Sequence, residues 1–134
     1  MMRFMLCVLA ILPLPLMAQT TAQSAQFVDC ARAQTQVDLN FCAAQDWREA
    51  DVMLNDLWPL AMNMARSLGS TNGIAASDLL RDAQRAWIVY RDAACAAESQ
   101  LVAGGSMMGQ VAGECLARIT RARSAELRLF LPDR

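Results

Sequence analysis

Residues 79–95 repeat their apolar side chains with the period of an amphipathic α-helix. The apolar residues recur at steps of three and four, while most of the charged residues fall between them. The apolar positions are Leu80, Ala83, Trp87, Tyr90 or Arg91, and Ala94. Ser77 precedes the segment and is predicted to cap the helix, because its hydroxyl can accept a hydrogen bond from a free amide of the first turn. Cys95 ends the segment and indicates a covalent connection to another part of the chain.

A longer helix is predicted over residues 36–68. Its apolar positions advance by about 3.6 residues on average, which is the repeat of an α-helix. These positions are Leu39, Ala43, Ala50, Met53, Leu57, Ala61, Met64 and Leu68. Thr35 is predicted to cap this helix. Pro59 predicts a kink or a break near Trp58, because proline lacks an amide and its ring clashes with the preceding turn. The turn residues at 69–73 are predicted to end the helix.

A third helix is predicted over residues 107–129. Gly104 and Gly105 permit a tight turn before it, and Ser106 is predicted to be its cap. Its predicted core positions are Val111, Cys115, Ile119, Ala122 and Leu127. A short helical turn is predicted within residues 27–33, and no segment shows the alternation of a β-strand. Because the connections are short, the sequence predicts an all-α fold, a small antiparallel bundle of three main helices plus this short N-terminal helical turn.

The N-terminal residues have the pattern of a secretory signal peptide. Arg3 precedes an apolar run at residues 4–16, and Ala18 supplies a small residue at the cleavage position, with Ala22 as an alternative. The run is shorter than a membrane span of about 20 residues, so a retained anchor is the less favoured interpretation. The predicted organisation is a signal peptide at residues 1–18, a flexible tail at 19–26 and a folded domain at 27–131. We therefore expect a periplasmic or secreted protein that does not contact the membrane after cleavage.

Cleavage removes Cys7 and leaves four cysteines, which are Cys30, Cys42, Cys95 and Cys115. An even number of cysteines in an exported chain predicts two disulfides, for which three connectivities are open. Cys30 with Cys42 and Cys95 with Cys115 is the simplest pairing, because each pair flanks one helix boundary or loop. The chain has no Cys-x-x-Cys motif and no histidine, so neither a redox centre nor a zinc site is expected. No metal and no cofactor are predicted.

These segments share a pattern of residues with a known family. The matching residues are Cys30, Thr35, Gln36, Asn40, Cys42, Ala43, Ala50, Asp51, Leu54, Asn55, Ala83 to Ile88, Arg91 to Ala93, Cys95, Gly104 to Ser106, Cys115, Thr120 and Arg123. The sequence thereby resembles the LprI-type lysozyme inhibitor family. It departs from the family pattern at Trp47, where tyrosine is common, and at Pro59. The resemblance implies an all-α, disulfide-linked domain in the periplasm or outside the cell and, for some relatives, inhibition of lysozyme. It does not imply catalysis.

The residue types themselves also argue against an enzyme and against a nucleic-acid-binding protein. The chain lacks histidine, the commonest general base, and it has no Gly-rich phosphate loop. The carboxylates of Asp46, Asp51 and Asp56 are five residues apart and do not converge on one side of a helix. Asp46 is instead expected to be a carboxylate at the rim of the core or to pair with an arginine from another helix. The basic C-terminal segment is interpreted as a solvated helix face that contains a Glu114–Arg118 pair.

The polar residues of the family pattern are interpreted as structural. We expect hydrogen bonds between helices from Asn40, Asn55, Gln84, Arg85, Arg91 and Asp92. Trp87 and Tyr90 are interpreted as aromatic residues of the core.

The candidate binding element is the loop at residues 97–106, because a disulfide-braced loop loses little entropy on binding. Its central residues are Gly104, Gly105 and Ser106. Two functions remain open at this point. One is an inhibitor that presses this loop into the cleft of a C-type lysozyme. The other is a non-inhibitory module of the cell envelope that binds another protein or a wall component through a helix face. The oligomeric state does not follow from the sequence.

Overall fold

The structure, a computed structural model, describes residues 28–132, and three long α-helices form most of this part. The elements in order are the 3-10 helix η1 (Cys30–Arg32), α1 (Gln36–Ser67), β1 (Ser70–Thr71), β2 (Ile74–Ala75), α2 (Ala76–Ser99), the 3-10 helix η2 (Gln100–Val102) and α3 (Met108–Arg128). The prediction of an all-α fold with a short N-terminal helical turn is confirmed. The predicted signal peptide and tail lie outside the described residues.

The first helix, α1, begins at the predicted cap and continues past its proline. The Thr35 hydroxyl oxygen accepts a hydrogen bond from the Asp38 amide at 3.2 Å, as expected for an N-cap. The helix is continuous through Pro59, so the predicted break does not occur. Pro59 and Asn55 both lie on the exposed side of α1. The Asn55 carbonyl that loses its helical partner there can be hydrated, which lowers the cost of an internal proline.

A tight hairpin joins α1 to α2 where the sequence predicted only a turn. Asn72 and Gly73 have φ values of 54° and 78°, which are the positive angles that a two-residue hairpin turn requires. The flanking residues pair as the small antiparallel ribbon β1–β2. The hairpin leads directly into α2, whose N-cap is Ala75. The predicted cap at Ser77 is therefore wrong, since that residue already lies in the first helical turn.

The helix α2 runs antiparallel to both other helices, so α1 and α3 run parallel to each other. These two parallel helices make the most extensive contact in the fold. Gly113 of α3 lies so close to Ala43 of α1 that a Cβ built on the glycine would be 2.8 Å from the alanine carbonyl carbon. Near the start of both helices, Gln36 Nε2 donates to Gln110 Oε1 at 2.9 Å. Glycine is thus required at the point where the two backbones approach most closely.

The core between the helices is divided into two clusters. The larger cluster contains Leu54, Ala61, Met62, Ala65, Leu80 and Leu127. The smaller cluster contains Cys95, Cys115 and Ile119. Trp87 of α2 packs against both clusters and joins them into one apolar interior.

Several predicted core positions are exposed instead. Met53 and Leu68 of α1 are 42% and 63% exposed, and Ala122 of α3 is exposed as well. Leu54, outside the predicted stripe, is 3% exposed. The reason is that α1 contacts α2 on one side and α3 on the other, so its buried residues do not follow one straight stripe.

The two disulfides are Cys30–Cys42 and Cys95–Cys115, each with Cα atoms 5.5 Å apart. The first ties η1 to the second turn of α1, and its Cys30 is exposed. The second joins α2 to α3 inside the core, where the two cysteines are 2% and 0% exposed. The simplest of the three connectivities is therefore the one present.

Candidate functional site

Arg91, one of the arginines of the family pattern, lies between two tryptophans. Its guanidinium carbon is 4.9 Å from the ring centroid of Trp87 and 6.0 Å from that of Trp47. The Arg91 side chain is 11% exposed, and it pairs with Asp92 at 2.8 Å and with Asp51 of α1 at 3.8 Å. Cation–π contacts strengthen as water is excluded. This cluster therefore fastens α2 to α1 and leaves little of Arg91 accessible to a partner.

Two further residues of the pattern connect helices. Asn40 Nδ2 donates to the Ser106 carbonyl at 3.0 Å and so holds the α2–α3 connection against α1. Gln84 of α2 accepts a hydrogen bond from Arg123 Nε of α3 at 2.9 Å. These contacts fix the relative position of the helices rather than offering groups to a ligand.

Asn55, Arg85 and Asp92 were also expected to connect helices, but they form no hydrogen bond between the described helices. Asn55 donates to Asp51 within α1 at 3.0 Å, and Asp92 bonds to its neighbour Arg91. Arg85 faces Asp82 one turn away at 3.8 Å, with both side chains 74% exposed. Tyr90 is 62% exposed, so its predicted place in the core is wrong. The helical period places Tyr90 at the edge of the buried stripe, and the stripe includes its neighbour Arg91 instead.

Arg91→Lys is expected to lower the free energy of unfolding by about 1–2 kcal/mol, since lysine keeps the charge but cannot stack its planar group on two rings. Urea denaturation followed by circular dichroism measures the change. The matched control is Arg85→Lys on the exposed side of α2, which should change stability by less than about 0.5 kcal/mol. Equal effects of the two substitutions would rule out a special role for the tryptophan pair.

Two ion pairs join α3 to the other helices. Arg121 forms a two-point contact with Asp46 of α1, in which Nη1 lies 2.8 Å from Oδ2. The expected pairing of Asp46 with an arginine of another helix is confirmed. Arg118 pairs with Glu98 of α2 at 2.6 Å, so the interpretation of a Glu114–Arg118 pair is wrong. Glu98 and Arg118 each follow a cysteine of the Cys95–Cys115 disulfide by three residues, so the bridge holds their two side chains near each other.

The Asp46–Arg121 pair predicts a small, pH-dependent contribution to stability. Hydrogen bonding and charge from Arg121 lower the pKa of Asp46 below its ordinary value of 3.8, against the opposing effect of burial. The stabilisation is therefore present above that value and is lost as the pH falls through the lowered pKa. Both side chains are nearly half exposed, so Asp46→Asn should cost less than about 1 kcal/mol near neutrality.

Urea midpoints at neutral pH and well below 3.8 test this expectation. The cost of Asp46→Asn should shrink in acid, whereas the exposed control Asp82→Asn should show little effect at either pH. A cost that persists in acid would assign the role of Asp46 to packing rather than to charge.

The connection between α2 and α3 is ordered by its own hydrogen bonds. The Ala103 amide donates to the Gln100 carbonyl at 3.1 Å, and the Gly105 amide donates to the Val102 carbonyl at 3.0 Å. Gly104 has a φ of 77°, which a residue with a Cβ adopts only with strain. Gly104 therefore determines the backbone conformation of this turn.

One apolar side chain projects from this connection. Leu101 is 83% exposed, although the segment around it is otherwise small and polar. Ser106 is exposed too, and Met107 after it is 45% exposed. Ser106 does not cap α3 through its side chain, because Met107 occupies the N-cap position. The sequence interpretation did not single out Leu101, even though an isolated leucine in a polar loop could have drawn attention to it.

Acidic groups surround the connection. We call the end of the bundle where α1 and α3 begin and α2 finishes the loop end. Its charged residues are Asp29, Arg32, Asp38, Glu98, Glu114 and Arg118. Carboxylates outnumber guanidinium groups in this set, so the loop end combines a net negative charge with exposed apolar side chains, of which Leu101 is the most exposed. Such a surface is complementary to a basic protein.

Comparison with known proteins decides the family. A family model described as "Lysozyme inhibitor LprI" matches residues 29–127. The chain belongs to the LprI lysozyme inhibitor family. An uncharacterized protein from Rhizobium meliloti (strain 1021) is 42% identical over 106 residues, which cover 75% of this chain and 76% of the relative. No solved structure matches the chain.

The LprI match spans both disulfides, the Arg91 cluster and the loop end. It finishes just before Arg128, the last residue of α3. Within residues 28–132, no helix has the length and apolar composition that crossing a membrane requires. The same residues contain no group of three or more acidic, cysteine or histidine side chains that could hold a metal ion.

Proposed function

We propose that this LprI-family chain is an exported inhibitor that binds a C-type lysozyme without forming a covalent bond. Family membership is the observation that carries the proposal. The predicted signal peptide and the two disulfides agree with a protein that works in the periplasm or outside the cell. Lysozyme acts on the wall in that same compartment.

The loop end is the proposed contact surface. Leu101 provides an apolar side chain whose burial against a partner would contribute about 1.5–3 kcal/mol. The surrounding carboxylates favour the approach of a basic enzyme such as lysozyme. The Cys95–Cys115 disulfide and the hydrogen bonds of the connection already order this surface, so little conformational entropy is lost on binding.

Binding, rather than chemistry on the enzyme, suits the side chains available. Asp46 and Asp51 are engaged by arginines of other helices, which leaves them poorly placed to move protons. The cysteines within residues 28–132 are all joined in disulfides, so none of them offers a thiol to the enzyme. The proposal is therefore steric obstruction of the lysozyme cleft by a rigid loop.

Leu101→Asp is expected to weaken inhibition of a C-type lysozyme at least about tenfold, because about 1.4 kcal/mol of binding energy corresponds to that factor. Inhibition constants from a peptidoglycan lysis assay measure the change. Leu129→Asp is a matched control, since Leu129 is 84% exposed and lies beyond the other end of α3. Circular dichroism should show the same helical content in both variants.

The loop assignment requires a clear difference between these variants. If the Leu101→Asp variant inhibits as well as the unsubstituted protein, or if both substitutions weaken inhibition equally, the loop end is not the contact surface for lysozyme. Ser106→Trp gives a second reading, because this exposed position tolerates a larger side chain without the positive φ found at Gly104. It should also weaken inhibition while leaving the helical content unchanged.

A further inference from the structure

An apolar groove follows the second half of α1 and is closed on one side by the residues after α3. Its apolar lining residues are Leu57, Leu60, Met64, Leu131 and Pro132. The groove encloses about 690 Å³, within the range of about 300–1,000 Å³ that small-ligand sites occupy. Its lining extends from Leu57 to Ser67, a rise of about 15 Å along the helix axis. The shape is that of an elongated trough.

Among the described residues that line the groove, the charged side chain is a cation. Arg128 is among its lining residues, and no carboxylate is. Arg128 also lines an adjacent hollow beside Glu49 and Asp56, where its Nη2 contacts Met53 Sδ at 3.3 Å. It forms no ion pair with either carboxylate or with any other of residues 28–132. Arg66 does not line the groove, but it donates to the lining residue Asn63 and so adds a cation near the rim. An unpaired guanidinium favours a carboxylate ligand, which it can bind at two points.

The polar groups of the rim are already engaged. Asn63 accepts a hydrogen bond from Arg66, and the Ser67 hydroxyl donates to the Met64 carbonyl at 2.7 Å. An extended peptide laid in the groove would find no partners among these rim groups for the backbone amides and carbonyls that face the floor, at a cost in free energy. An alkyl chain has no such groups. Leu57 and Met64 are also half-buried, so the floor is recessed and suits an inserted chain better than a flat bilayer.

We propose that this groove binds a single-chain fatty carboxylate, with its alkyl chain along α1 and its carboxylate on Arg128. The site is distinct from the loop end, which lies at the opposite end of the bundle. Binding at the groove therefore adds to the proposed inhibition and does not depend on it. A failed test of either proposal leaves the other standing.

Isothermal titration of the purified, oxidised protein with dodecanoate, kept below its micelle concentration, tests the proposal. We expect saturable binding of one dodecanoate per chain. Dodecyltrimethylammonium has a matched alkyl chain and the opposite charge, and it should bind at least tenfold more weakly. Hexanoate keeps the carboxylate but shortens the chain, and it should also bind more weakly.

Two substitutions locate the site. Arg128→Gln should weaken dodecanoate binding at least tenfold, whereas Arg85→Gln on the exposed side of α2 should change it less than twofold. Leu60→Glu places a carboxylate in the trough and should weaken binding by repulsion and lost apolar contact. Circular dichroism and lysozyme inhibition should be unchanged in all three variants.

Three results would overturn the proposal. One is equal affinity for dodecanoate and dodecyltrimethylammonium, and another is equal weakening by Arg128→Gln and Arg85→Gln. The third is the absence of binding to monomeric dodecanoate together with sedimentation on vesicles of anionic phospholipid. That last result would assign the positive groove to a membrane surface.

Discussion

Gly113→Ala is expected to destabilise the protein by about 1–3 kcal/mol, the usual cost of forcing extra volume into a packed contact. The added Cβ would lie 2.8 Å from the Ala43 carbonyl carbon and 2.9 Å from its Cβ and carbonyl oxygen. Two of these three atoms belong to the backbone of α1, so the helix as a whole must move. The loss should appear although alanine favours helix over glycine by about 1 kcal/mol at an unobstructed position.

Gly109→Ala is the matched control one turn earlier in α3. Its Cβ would meet the Asn40 side chain at 3.3 Å, and a side-chain amide can shift by a few tenths of an ångström. The gain in helix propensity should offset this adjustment, so the stability change is expected to stay within about 0.5 kcal/mol. Urea denaturation of both variants measures these changes in the free energy of unfolding. A Gly113→Ala variant as stable as the unsubstituted chain would contradict the close parallel contact of α1 and α3.

Replacing both Cys95 and Cys115 with alanine is expected to cost more than 3 kcal/mol. A disulfide across 20 residues stabilises by about 3 kcal/mol through its restriction of the unfolded chain. Removal of the two buried sulfur atoms adds a cavity in the smaller core cluster, worth about 1 kcal/mol more. This loss is a large share of the about 5–15 kcal/mol by which small domains are stable.

The pair Cys30 and Cys42 supplies the comparison. This disulfide spans 12 residues, so its effect on the unfolded chain is also about 3 kcal/mol. Cys30 is exposed, however, and its loss leaves no cavity in the core. The double substitution at 30 and 42 should therefore be the milder of the two. If the two double substitutions lower the free energy of unfolding equally, or if the substitution at 30 and 42 lowers it more, the Cys95–Cys115 bridge is not the more stabilising of the two.

Features encoded within a single segment could be predicted from the sequence. The helical period of α2, the Thr35 cap and the turn after α1 each depend on residues close together in the chain. The simplest cysteine pairing was right because each bridge closes a short loop. Features set by neighbouring elements were missed. Ser77 is not a cap because the hairpin residue Ala75 already occupies the N-cap position.

The candidate sites show the same limit. The position of Arg91 between two tryptophans requires Trp47 from another helix, which no spacing within α2 reveals. The apolar groove depends on residues 131 and 132 lying beside the second half of α1. The loop at residues 97–106 was predicted as a binding element from its position between two cysteines, whereas the exposure of Leu101 became apparent only from the fold. Local sequence patterns thus do not determine which side chains from separate helices come into contact.

The most direct test of the proposed inhibition is lysis of a peptidoglycan suspension by a C-type lysozyme, measured with increasing amounts of the purified, oxidised protein. We expect dose-dependent inhibition that reaches completion at a fixed molar ratio and declines when the disulfides are reduced. Full lysis at a large molar excess, with the protein shown to be folded by circular dichroism, would contradict the proposed inhibition of this enzyme.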